Sequence, residues 1–110
     1  MDLSQLIAEI DKLDYDDERD ERMGLLLIYL KKVAMKVDVR SPKQSKISAI
    51  MYRLVFSVIE TVRWESTRGP IAALSRAYYY TLRSRDGYIR ACWDTASMAE
   101  AACDVDVNNV

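Results

Sequence analysis

Residues that break regular structure are rare in this chain, and between them apolar side chains recur every three or four positions. Only three glycines and two prolines occur in 110 residues. A turn-rich β protein needs more, so the pattern favours long helices. The clearest stretch is Ile47, Ile50, Met51, Leu54, Val55, Val58, Ile59 and Val62. It holds one apolar face for about four helical turns.

The same spacing places the other elements. Leu3, Leu6, Ile7, Ile10 and Leu13 predict a helix over 3–13, opened by Asp2 and Gln5 in a capping-box arrangement. Asp14-Tyr15-Asp16 ends it. A second helix is predicted over 17–37. Its acidic start (Glu18, Asp20, Glu21) and basic end (Lys31, Lys32, Lys36) complement the helix dipole. Met23, Leu26, Leu27, Leu30, Val33, Ala34 and Val37 form its core stripe. Ser41-Pro42-Lys43-Gln44 offers a cap, a first-turn proline and a third-position Gln, which predicts a third helix over 42–65. Ser66-Thr67-Arg68-Gly69 is read as its end, and Pro70 as the opening of a fourth helix over 70–84. Asp86-Gly87 is read as a turn before a fifth helix over 88–103 with Ile89, Cys92, Trp93, Ala96, Ala99 and Cys103 inward. Residues 104–110 are read as a frayed polar tail. Half the residues are apolar, enough for one core and too many for disorder. The expected fold is all-α, a compact four- or five-helix bundle in a single domain over 1–103.

Composition narrows the chemistry. Histidine is absent, which removes the commonest general base and the commonest metal ligand. Cys92 and Cys103 share one predicted helix about 16 Å apart along its axis. That is too far for a disulfide between them, so both are expected to be reduced core thiols. Gly24, Gly69 and Gly87 are scattered and form no phosphate loop. The chain is expected to be no enzyme and to carry neither cofactor nor metal. The longest apolar run, Leu25–Leu30, is far short of the roughly 20 residues of a membrane span, and the start lacks a signal peptide's basic segment. A soluble, cytoplasmic protein is expected, or a host-cell one if the source is viral.

Charge is segregated. Residues 31–90 hold 13 Lys/Arg against 4 Asp/Glu, a net of +9; residues 1–30 hold 3 against 9, and residues 91–110 hold none against 4. A central field of that size is neutralised by the chain's own acidic ends, by a second copy, or by an anionic partner.

Several constellations follow. Arg76, Tyr79, Tyr80, Arg83 and Arg85 interleave guanidinium groups with aromatic rings. That mixture suits a protein hot spot or phosphate contact with base stacking, and equally a solvated basic face. Lys43, Lys46, Arg53, Arg63 and Arg68 form a basic flank, with Lys46 and Arg53 one heptad apart. It suits backbone contact with a duplex or an ordinary solvent face. The acidic cluster Asp14, Asp16, Asp17, Glu18, Asp20 and Glu21 lacks the order of a calcium loop and reads first as dipole complementation. Leu25, Ile28 and Tyr29 leave the second helix apolar nearly all round, so it is either central or shared with a second copy. Trp64 and Trp93 are expected in the core, Trp64 being the likelier of the two to meet a partner. Glu60, among apolar neighbours, is expected to face outward opposite Arg63 or Arg53.

In gross character the chain resembles the small accessory proteins of phages and viruses: compact, helical, histidine-free and charge-segregated. No motif lies behind that likeness. It implies a non-enzymatic binding module, an inhibitor that blocks or bridges a protein or nucleoprotein complex by occlusion. The chain is expected to be a homodimer. The alternative functions are a dimeric double-stranded nucleic-acid (RNA) binding protein and a structural assembly subunit.

Overall fold

The structure is a computed structural model. It describes residues 1–13, 15, 20–41, 45–77 and 84–108, the side chains of 67–77 and 106–108 excepted. It is all-α, with four helices among the described residues: α1 (Leu3–Asp11), α2 (Glu21–Arg40), α3 (Lys46–Ala77) and α4 (Arg85–Asn108).

Each helix starts where a side chain can satisfy its first free amides. Asp2 accepts the Gln5 amide at 2.9 Å, and the Gln5 side chain accepts the Asp2 amide at 2.6 Å, the expected reciprocal cap. Asp20 accepts from the Met23 amide and caps α2. Ser45, rather than Ser41, accepts from the Ser48 amide at the start of α3.

The fold departs from the sequence reading at three places. Gly69 and Pro70 do not separate two helices; α3 runs through them for 32 residues to Ala77. Glycine accepts helical geometry at a cost of about 1 kcal/mol. Proline forgoes a single rung of the ladder, so long helical flanks can carry across the pair. Asp86-Gly87 is no turn but the first turn of α4, with the Gly87 amide held by Ser84 Oγ at 3.1 Å and Asp86 at the dipole's positive end. The segment from 104 is no frayed tail as far as Asn108, because Cys103 is buried and Asp104 is tied to α2. Smaller shifts occur at the other ends. α1 stops at Asp11 rather than 13, and α2 reaches Arg40 rather than 37.

Ion pairs report the topology. Lys31 of α2 meets Asp11 of α1, while Asp38 and Met1 border one groove, so α1 and α2 are antiparallel. Glu65 and Thr61 of α3 meet Arg85 and Tyr88 of α4, so these two are also antiparallel. α2 and α4 are parallel: Arg22 pairs with Asp86, Tyr29 stacks on Trp93, Lys36 pairs with Glu100 and Arg40 with Asp104. Every one of these pairs is 64 positions apart in sequence. α1 and α4 do not touch; both pack against α2 and α3. The long dimension, 49 Å, matches the roughly 48 Å of a 32-residue helix, so α3 sets it.

The core follows the apolar stripes. All seven residues expected from α2 are buried, as are Ile47, Met51, Val55, Val58, Ile59 and Val62 of α3 and Ile89, Cys92, Ala96, Ala99 and Cys103 of α4. Neither cysteine is in a disulfide. Ile50 was expected inside but is exposed, and Leu54 and Ile7 sit at the rim. Thr61 is fully buried; its hydroxyl donates to the Ser57 carbonyl at 2.8 Å, so no polar atom is stranded.

Candidate interaction surfaces

The acidic ends neutralise much of the basic middle within the chain. Lys36 Nζ donates to Asp104 at 2.9 Å, and Arg40 to the other oxygen of the same carboxylate at 3.0 Å. Lys31 pairs with Asp11 at 2.7 Å. Arg63 pairs with Glu9 and, at 3.6 Å, with Glu60, which faces outward as expected. Arg85 bridges Asp20 and Glu65. The hydrogen bond from Lys36, with Arg40 adjacent, holds the Asp104 carboxyl below its ordinary range, and Lys36 is raised in return. Bonds from Lys12 and Arg63 lower Glu9 in the same way.

These pairs involve two of the expected partner residues. Arg85 and Arg63 each pair with carboxylates of the chain itself. The cause lies in the pairing of helices: both sit where an acidic residue of another element comes alongside, which local spacing does not reveal. Lys43, Tyr79, Tyr80 and Arg83 lie outside the described residues, as do the side chains of Arg68 and Arg76. Of the acidic cluster, Asp14, Asp16, Asp17 and Glu18 also lie outside. Asp20 serves as the α2 cap, and Glu21 is exposed in the first turn.

Lys46 and Arg53 do share a face. Both are exposed on the side of α3 opposite its buried stripe, and neither pairs with a described carboxylate. Between and beside them lie two large apolar residues, Ile50 (44% exposed) and Phe56 (47%). The Phe56 ring lies nearly parallel to that of Tyr52, with centroids 6.3 Å apart, which holds it in place on the surface. Arg53 and Tyr52 also border a groove of about 380 Å³ at the α2–α3 corner. The hydroxyls of Ser41, Ser45 and Ser48 are linked there at 2.7 and 3.1 Å. Sequence spacing found the two cations on this face. It missed Phe56, which falls outside the 3–4 apolar pattern and for that reason points to solvent.

The expected second-helix patch divides. Leu25 and Ile28 are exposed. Tyr29 is committed within the chain: its ring stacks on Trp93, and its hydroxyl reaches Ser97 Oγ at 3.1 Å and Glu100 at 3.3 Å. Trp64 and Trp93 are both half-buried. Among the described residues no group of three or more Cys, Asp and Glu is placed to hold a metal ion, and no helix is long and apolar enough to cross a membrane.

No family model matches the chain, and no curated protein or solved structure is significantly similar to it.

Proposed function

We propose that this chain is a non-enzymatic helical binding module that engages a protein partner and acts by occluding part of a larger protein or nucleoprotein complex. The outward face of α3 is the contact surface in this reading. What supports it is the company that Lys46 and Arg53 keep. Ile50 lies between them and the buttressed ring of Phe56 lies one turn beyond Arg53, and the two cations remain without a described carboxylate partner while Lys36, Arg40, Arg63 and Arg85 are paired. An aromatic anchor rimmed by cations suits an apolar protein surface edged with Asp or Glu. The internal pairing of the basic segment weighs against a polyanion as the principal partner, because a duplex would compete with carboxylates already in place.

A photo-crosslinking residue at position 56, introduced in the native cell, tests this. The expected result is a discrete protein adduct that disappears in the K46E/R53E variant, with none from the same probe at exposed Ser4 of α1. A nucleic-acid adduct lost steeply with salt would instead favour the duplex-binding alternative. No adduct at position 56 would remove α3 as the contact face.

A further inference from the structure

We propose that the groove between the end of α2 and the first turns of α3 binds a small zwitterion, a free amino acid or a dipeptide with an apolar side chain. Asp38 and Ser41 receive its ammonium group, and Arg53 receives its carboxylate. The groove shares Arg53 with the α3 face, but the proposal does not rest on a protein partner, because it is tested on the chain alone.

Local spacing builds the walls. Ser45, Ser48, Ala49, Tyr52 and Arg53 recur at steps of three and four, which lays them along one side of α3. Asp38 and Ser41, three positions apart, do the same at the end of α2. Met1 and Leu3, at the start of α1, add an apolar wall. The volume of about 380 Å³ lies at the lower end of the range for small-molecule sites, about 300–1,000 Å³.

The two ends of this space differ in charge. Asp38 and Arg53 border the same cavity, and neither forms an ion pair with the other or with another described residue. Two opposite ions that share a cavity without reaching each other leave a gap that a molecule carrying both charges fills. The dimensions agree. Ser41 Oγ lies 2.7 Å from Ser45 Oγ, which joins the end of α2 to the start of α3. From Ser45 to Arg53 the helix rises about 12 Å, a distance shared by the long arginine side chain and a short ligand.

The hydroxyl chain makes the α2 end an acceptor. Ser45 donates its one hydroxyl proton to Ser48 Oγ at 3.1 Å, so Ser41 is the donor in the bond to Ser45. With that proton used, Ser41 Oγ offers the groove lone pairs alone. The last carbonyls of α2, the negative pole of its dipole, lie at the same end. Arg40 of that turn is paired with Asp104. Asp2 also borders the groove, with one carboxylate oxygen on the Gln5 amide in the α1 cap. An ammonium group suits this end, and a carboxylate suits the Arg53 end. A simple cation or a simple anion would satisfy one end and leave the other charge without a partner.

Titration of the isotope-labelled full chain, followed through its amide resonances, tests the proposal. The ligands are L-leucine and L-alanyl-L-leucine, each beside its C-terminal amide and its analogue without the ammonium group. Saturable shifts at Asp38, Ala49, Tyr52 and Arg53 are expected from at least one zwitterion, and the tighter of the two tells whether the gap fits an amino acid or a dipeptide. Its single-charge analogues are each expected to bind about tenfold more weakly, or weaker still. D38N is expected to abolish the advantage over the analogue without ammonium, and R53Q the advantage over the amide, with circular dichroism confirming that both variants fold. No saturable shift from either zwitterion overturns the site, and shifts confined to another part of the chain overturn its placement. A single-charge analogue that binds as tightly as its zwitterion overturns recognition at two poles, and this comparison needs no variant. Folded variants that bind as the wild type does overturn the roles of Asp38 and Arg53.

Discussion

The ring of Tyr29 lies on the indole of Trp93, with centroids 4.2 Å apart and planes 14° from parallel. Tyr29 was a natural candidate for an intermolecular contact on sequence alone, and the stack uses it to fix α2 against α4 instead. With the hydroxyl also bonded to Ser97 and Glu100, the residue sets both the spacing and the register of the two parallel helices. A double-mutant cycle with Y29A and W93A in urea is expected to give a coupling of about 1 kcal/mol. Additive effects would show that the rings contribute by burial alone.

The course of α3 through Gly69 and Pro70 has a sharp consequence. An interior proline disfavours a helix by about 3 kcal/mol relative to alanine. P70A is therefore expected to raise both helicity and stability, by on the order of 1–3 kcal/mol. Were Pro70 instead the first residue of a separate helix, it would be well suited to its place, and the substitution would be neutral or harmful. Circular dichroism with denaturant titration separates the two.

The tie between α2 and the end of α4 depends on pH. Asp104 and Glu9 have lowered carboxyl values, so their stabilising effect is complete above the ordinary carboxylate range and is lost as pH falls through their own lower values. Lys36 is raised, so its effect is complete below the ordinary lysine range and is lost only as pH climbs past that range. Stability is expected to be flat with respect to these groups between about pH 5 and pH 10 and to fall outside that window. In denaturation midpoints read against pH, D104N should flatten the acid limb. An unchanged limb would mean that the pair is not maintained in solution.

Both thiols are buried, Cys103 completely. A thiol reagent is expected to modify neither at an appreciable rate under native conditions and both promptly in denaturant. Because Cys103 lies just before the segment that sequence assigns to a loose tail, its protection also measures whether the end of α4 is held down. Fast native labelling of Cys103 alone would place that helix end in exchange with an open form.

Local residue choice determined the helices and their inward faces. The 3–4 spacing of apolar residues gave the buried stripes of α2, α3 and α4 almost residue for residue, since the period of a helix leaves one solution for which side turns inward. The Asp2–Gln5 cap was legible for the same reason: it is completed within one turn. The ends of helices were less legible. Pro70, Gly87 and Asp104 look like breakers in isolation, and flanking residues or a distant partner overrule each of them. Tertiary structure alone decided the fate of the charges. The sequence showed a basic middle and acidic ends. Only the parallel packing of α2 on α4 brings Asp104 between Lys36 and Arg40, and only the packing of α1 on α3 brings Glu9 to Arg63. Coulombic attraction acts through space, so the chain's charge sum is written in the sequence while the pairing, and hence which cations remain for a partner, belongs to the fold.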